Sequence, residues 1–242
     1  SSDSVLARAD QAFSEALNVI NSEVSRMMGT LSRGDKIENF GSVAGELFNA
    51  TIQSFQVEMS DCAGDPLVER KILQLSVAID SALQSVFVKQ LQLIRENSIN
   101  RFKSAISSDE MPVDFAYYSG DALFARDAQA SVRPDSDWSF ESERADLQAL
   151  LTDLVSQRKR IQQNRVDVAQ AQASAVQVLQ MQQAQMNAIQ QQAMGGVSGQ
   201  WNAQAMYRPP DTNVNMTVGY QPGRTTINLG MVPEEGASLL GA

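Results

Sequence analysis

The 242-residue chain contains no histidine and a single cysteine. Without histidine the commonest metal ligand and general base are missing, which argues against zinc sites and against serine or cysteine catalysis of the usual kind. Cys62 alone cannot close an internal disulfide, so a disulfide-stapled secreted scaffold is a poor reading. Aromatic residues are only 6% of the total, which favours helices packed on helices over thick sheets. Basic charge is scarce too: 19 Lys and Arg stand against 28 Asp and Glu, a net charge of −9 with no basic tail. Phosphate contacts need clustered Lys and Arg, so nucleic acid is not an expected partner. No uninterrupted apolar run approaches the roughly eighteen residues of a membrane span, and no signal peptide opens the chain. Neither Gly-x-x-x-x-Gly-Lys-Ser/Thr nor Gly-x-Gly-x-x-Gly occurs, so this chain by itself offers no P-loop for GTP or ATP. Ser1 stands where an initiator methionine is expected, which implies that processing or truncation removed what came before.

What the chain does have is helix-forming sequence, with Ala, Leu, Gln and Ser plentiful and 43% hydrophobic residues, enough for a core. Residues 67–106 run without an internal Gly or Pro. Ile72, Leu75, Ile79, Leu83, Val86, Phe87, Leu91, Ile94, Phe102 and Ile106 recur there at steps near three or four, one broad apolar stripe of a helix. Lys89, Arg95, Glu96, Arg101 and Lys103 fall largely off it. Such a helix is about 60 Å long and needs partners along its length.

The partners precede and follow it. Leu6, Phe13, Leu17, Ile20, Val24, Met27 and Leu31 form a near-heptad seam that Gly34 ends. Asp35 and Glu38 read as a capping box for a second helix carrying Ile37, Phe40, Ala44, Leu47, Phe48, Ile52 and Phe55 and ending before Gly64. Asp65 and Pro66 suit the N-cap and first residue of the long helix. Pro112 breaks the pattern, after which Phe115, Tyr118, Leu123 and Phe124 predict a short helix, with Tyr117 and Tyr118 as anchors against the bundle. Asp137 reads as the N-cap of the last helix, with Glu141 and Glu143 at the positive end of its dipole.

From 140 to 194 nothing interrupts that helix. Its seam, residues 147, 151, 154, 158, 161, 165, 168, 172, 175, 179, 182, 186, 189 and 193, starts with three leucines and is diluted by Arg158, Arg165, Gln172 and Gln182. The first half reads as packed on the other helices, and the Gln- and Met-rich second half as a thinner coiled coil or projecting arm. Beyond Gly195, Gly196 and Gly199 the period changes to two: Ala203, Ala205, Tyr207; Val214, Met216, Val218, Tyr220; Ile227, Leu229, Met231. Turns at residues 209–211 and 221–224 predict a three-stranded antiparallel meander with Trp201, Tyr220 and Ile227 on an apolar face. The expected fold is therefore mostly α: an elongated antiparallel bundle (1–135), a long terminal helix (136–194) and a small β meander with a loose tail (195–242).

Each candidate site has a plainer reading beside it. Arg158, Lys159, Arg160 and Arg165 could bind phosphate or an acidic partner, but a charge run on a long helix is usually a solvated face. Cys62 lies among Ser60, Asp61 and Asp65, with little positive charge nearby in sequence to activate a thiol. Asp109 with Glu110, and Asp135 with Asp137, sit where helix caps are expected rather than as acid–base or metal pairs. Met181, Met186, Met194 and Met206 suit an adaptable packing surface better than cofactor ligation. No catalytic, cofactor-binding or metal residue is assigned.

The run FVKQLQLIRENSINRFK at 87–103 resembles the helical segment, Gln-Leu-x-x-Leu-Arg followed later by Phe-Lys, that lies beyond the GTPase domain in large GTPases of the guanylate-binding protein, atlastin and root hair defective type. SDWSFESE at 136–143 before a long helix, and PDTNVNMTVGY at 210–220 with VPEE at 232–235, are similar to plant and algal guanylate-binding-like members. The resemblance covers the chain from about residue 67 onward. It implies the non-catalytic helical stalk of a dynamin-superfamily GTPase, with GTP and Mg bound by a domain upstream of Ser1, and GTP-driven dimerisation moving the stalk to remodel membrane or assemble a coat. It also implies an intracellular place, on the cytoplasmic face of an endomembrane or in a plastid. No GTPase residue can be carried over, since no position here matches one. The lack of a transmembrane hairpin departs from the atlastin pattern and fits the anchorless guanylate-binding branch. The alternative is a self-contained structural or adaptor protein acting through self-association or partner helices. A membrane-surface amphipathic protein is a third reading, opposed by the acidic balance.

Overall fold

A computed structural model of the chain describes residues 2–192, 203–207, 214–221 and 224–231. The protein is predominantly helical and divides into two compact units, Ser1–Thr152 and Asp153–Ala242. The first unit holds α1 (Ser2–Ser32), α2 (Phe40–Glu58), a 3-10 turn at Ser60–Cys62, α3 (Pro66–Ser107), α4 (Val113–Gln129) and the start of α5 (Glu141–Gln192).

α3 is the axis of this unit, with α1, α2 and α4 each packed on it. Asp65 caps it by accepting from the Leu67 N–H at 2.9 Å, and Pro66 occupies the first turn, where a missing N–H costs nothing. Leu75, Ile79, Leu83, Val86, Phe87, Leu91, Ile94, Phe102 and Ile106 are buried as their spacing predicts, while Ile72 is half-buried. α3 also carries an 18-residue window of mean hydropathy 1.3, apolar enough by length and composition to cross a membrane. The apolar residues of that window are interrupted by Ser and Gln, so no uninterrupted apolar run of that length occurs there, and in this fold they supply the core.

α1 buries Ala9, Ala12, Ile20, Met27 and Leu31, and Gly34 ends it at φ 85°. The Gly34 N–H donates to the Leu31 carbonyl (2.9 Å) and the Asp35 N–H to the Thr30 carbonyl (3.2 Å), which closes a Schellman motif. Asp35 is thus spent on the end of α1. The expected capping box with Glu38 does not form; α2 starts at Phe40, behind Asn39 in the left-handed region at φ 49°. Asp109 (φ 50°) plays the role of Gly34 at the end of α3, with the Glu110 N–H donating to the Ala105 carbonyl at 3.2 Å.

Two aromatic expectations are corrected on α4 and α5. Phe115 and Tyr118 are 68% and 67% exposed, so Tyr118 anchors nothing in the bundle; α4 buries Val113, Ala116, Gly120, Asp121, Phe124 and Ala128. Asp137 does not cap α5. Residues 137–140 are non-helical, Trp138 turns inward, and the Glu141 N–H donates to Ser139 Oγ at 3.3 Å. Glu141 and Glu143 do occupy the first turn.

In the second unit α5 continues to Gln192. From residue 153 onward its buried positions are Ala171 and Ala175, with Val168 and Leu179 packed beside them. The inward line thus runs through Asn164 and Ala171 instead of the expected Arg165 and Gln172, which are exposed. Turning by one residue leaves the guanidinium in water and brings a methyl group inside. Three strands follow, β1 (Ala203–Tyr207), β2 (Val214–Gln221) and β3 (Arg224–Met231), with β2 antiparallel to both neighbours. In the backbone register Met216 pairs with Tyr207 and Leu229, and Val218 with Ala205 and Ile227. Ile227 and Leu229 are exposed. Trp201, the residues at 208–213 and 222–223, the glycines at 195, 196 and 199, Met194 and the tail beyond 231 lie outside the described residues.

Candidate functional site

A dense set of side-chain contacts joins the segment at 130–140 to α2 and α3. Asp80, in the first half of α3, accepts through Oδ1 from Arg133 Nη2 (2.7 Å), Arg133 Nε (3.2 Å) and Trp138 Nε1 (3.1 Å). The Arg133 guanidinium also lies 4.1 Å from the Phe48 ring centre on α2. Trp138 is buried between Phe87 (centroids 5.0 Å apart) and Phe40 (6.2 Å). A buried indole needs a partner for its N–H, and a half-buried carboxylate needs cations. Each residue here answers the need of another.

A second lock uses the buried amide of Gln90. The Ile37 N–H donates to its Oε1 (3.0 Å), while its Nε2 donates to the Ile37 carbonyl (2.6 Å) and to Ser131 Oγ (3.2 Å). The α1–α2 connection is thereby held from α3. Beside it Gly41 lies so close to the 130–132 backbone that a Cβ there would stand 2.1 Å from the Val132 carbonyl oxygen. Its own N–H donates to the Ala130 carbonyl at 3.0 Å.

The third lock roots α5. Arg144 donates to Asp121 of α4 from Nε and Nη2, both at 3.0 Å, and Gln148 Nε2 adds a bond of 3.2 Å to Oδ1. Asp121, by hydrogen bond first and charge second, holds the Arg144 guanidinium above its ordinary pKa. Leu147 and Leu151 are fully buried alongside.

The sequence candidates are not gathered by this fold into one site. Cys62 is half-buried, and Arg8 from α1 brings Nη1 to 3.8 Å from its Sγ, a cation from 54 residues away that local sequence does not reveal. Arg8 is mainly engaged with Asp61, at 2.7 and 3.0 Å, and with the Glu58 carbonyl at 3.1 Å. Its hydrogen bond is the main cause that holds the Asp61 carboxyl below the usual range. Glu110 pairs with Arg101 at 3.3 Å, and Asp135 and Asp137 are exposed, Asp135 at a turn with φ 62°. Lys159, Arg160 and Arg165 are exposed, Arg158 is half-buried, Met181 is exposed and Met186 half-buried. Among the described residues no three metal-ligating side chains gather in one place. Asp80, Gln90, Asp121 and Arg133 were not singled out by pattern, because a polar residue inside an apolar stripe looks like a surface residue until its distant partner is known.

No family model, curated protein or solved structure matches the chain.

Proposed function

We propose that this chain is the non-catalytic helical stalk and C-terminal region of a dynamin-superfamily GTPase of the guanylate-binding type. On this reading the GTPase domain, with its GTP and Mg, lies upstream, and the helices carry its dimerisation to membrane remodelling or assembly. The observation that supports it best is mechanical: α5 is rooted in the bundle by Arg144 and Gln148 on Asp121, directly after a segment fixed by Trp138 and Arg133 to Asp80. A helix rooted in that way can pass on force, because moving its first turns means breaking charge-assisted hydrogen bonds together with buried aromatic contacts. The sequence likeness at 87–103 and 136–143 falls on α3 and on this rooted junction. The same reading takes the bundle as elongated and antiparallel, with the β meander as an appendage whose apolar face meets a partner or a second copy.

The native mass of the polypeptide tests it. An immunoblot of the source with an antibody to residues 67–106 should show a band far above the 26.4 kDa of this chain. A band at that mass would overturn the stalk reading in favour of a stand-alone structural or adaptor protein.

A further inference from the structure

α1 and α2 leave an open groove of 340 Å³ between them. On α1 it is walled by Ala12 and Ala16, on α2 by Ala50, Thr51 and Ser54, with Phe55 beneath. Val19 on α1 and Leu47 on α2 complete the apolar wall. These positions recur at three and four residues, so two helix faces confront each other across the gap. Ala12, Ala16, Ala50 and Ser54 are short, and the space beside them is open to side chains from elsewhere, the arrangement in which a groove takes an amphipathic helix through anchors at i, i+3 or i+4, and i+7.

The two charged residues of the lining are both acidic. Glu15 and Glu58 stand at its edges, both exposed. From Lys36 to Arg70 the chain has no basic residue but carries Glu38, Glu46, Glu58, Asp61, Asp65 and Glu69. Glu15 receives a hydrogen bond from the neutral amide of Gln11 at 3.1 Å; Arg8 reaches the Glu58 end of the groove, where it donates to the Glu58 backbone carbonyl at 3.1 Å, but its ion pair is with Asp61 and leaves the Glu58 carboxylate without a salt bridge there among the described residues. The carboxylates at the rim therefore call for cations from a partner.

We propose that the α1–α2 groove docks an amphipathic helix of another protein, its apolar side chains entering between the helices and its flanking Lys or Arg meeting Glu15 and Glu58. The inference uses α1 and α2 alone and is independent of whether a GTPase domain precedes them.

The test titrates the full chain against labelled synthetic helices of about 18 residues, about 27 Å, close to the length of α2. One carries Leu at the anchor positions with flanking Lys. A second has Glu for Lys, and a third has the same composition with the Leu spacing scrambled. The first should bind, and the other two about tenfold more weakly or worse. Filling the exposed position Ala50→Trp should abolish binding while far-UV circular dichroism stays unchanged. Should that variant fail to fold, Glu15→Lys with Glu58→Lys, both on the surface, should reverse the preference toward the Glu helix. No binding of the Lys helix would overturn the proposal, as would affinity unmoved by both variants. Sedimentation equilibrium of the chain alone should show no dimer through this groove; a dimer lost on Ala50→Trp would assign it to a second copy and overturn the partner helix.

Discussion

The bundle up to residue 152 and the part of α5 beyond it are both helical, yet they are held by different means. The bundle buries Phe40, Phe55, Phe87, Phe102, Phe124, Trp138 and Phe140 and adds directional polar locks at Asp80, Gln90 and Asp121. From 153 to 192 the buried residues of α5 are two alanines, with Gln, Ser and Asn filling much of the rest. Large apolar side chains contribute stability in proportion to the area they remove from water, and an alanine removes little. Helix content therefore says little about local stability. α3 and the far half of α5 are both long helices without a break, and they should respond to perturbation very differently.

The largest expected contrast is between two truncations. Phe87→Ala removes a buried ring stacked on Trp138 and should cost about 3–5 kcal/mol in urea unfolding. Leu179→Ala, on the half-buried stripe of α5, should cost about 1 kcal/mol. Equal costs would break the comparison. A second contrast lies within α2. Gly41→Ala drives a Cβ into the Val132 carbonyl and should cost about 3 kcal/mol. Gly45→Ala meets only the Pro134 ring at 3.4 Å and should stabilise by about 0.5–1 kcal/mol through helix propensity. Next, Asp80→Asn leaves the mostly buried Arg133 guanidinium without its counter-charge and should cost about 2 kcal/mol. Much of that should disappear when Arg133→Met is already present, as a double-mutant cycle would measure.

The smallest effect is at the surface. Because the Asp61 carboxyl is held below the usual range, its contribution is present above ordinary carboxylate pKa values and is lost as pH falls through the lowered one. Both partners are exposed, so the effect should be visible by NMR titration rather than in unfolding. Asp61 should titrate below the ordinary carboxylate range, and Arg8→Ala should return it to that range.

How much of this could be read from residues depends on where each partner lies. The α3 stripe and its Asp65–Pro66 start were legible, because a helix's burial pattern and its N-cap are encoded within a few residues of where they act. The α2 start was not. Asp35 fits a capping box by spacing, but the Schellman motif of α1 claims its N–H, and Gln90, 53 residues away, satisfies Ile37. Asp137 fits an N-cap by spacing for the same reason, since the partners that turn Trp138 inward, Phe87, Phe40 and Asp80, are remote. On α5 the strict seam was correct at Leu147, Leu151 and Ala175 but chose Arg165 and Gln172 over Asn164 and Ala171. Spacing alone does not weigh the cost of burying a guanidinium against that of turning the helix by one residue. The locks, whose partners are remote in sequence, are the features that local pattern conveys least.

Hydrogen–deuterium exchange on the full chain, followed residue by residue, tests the contrast most directly. Amides of α3 between 75 and 102 should exchange only with unfolding of the bundle, while those between 170 and 192 should exchange faster through local opening. Exchange in 170–192 as slow as in α3, or slower, would contradict the account.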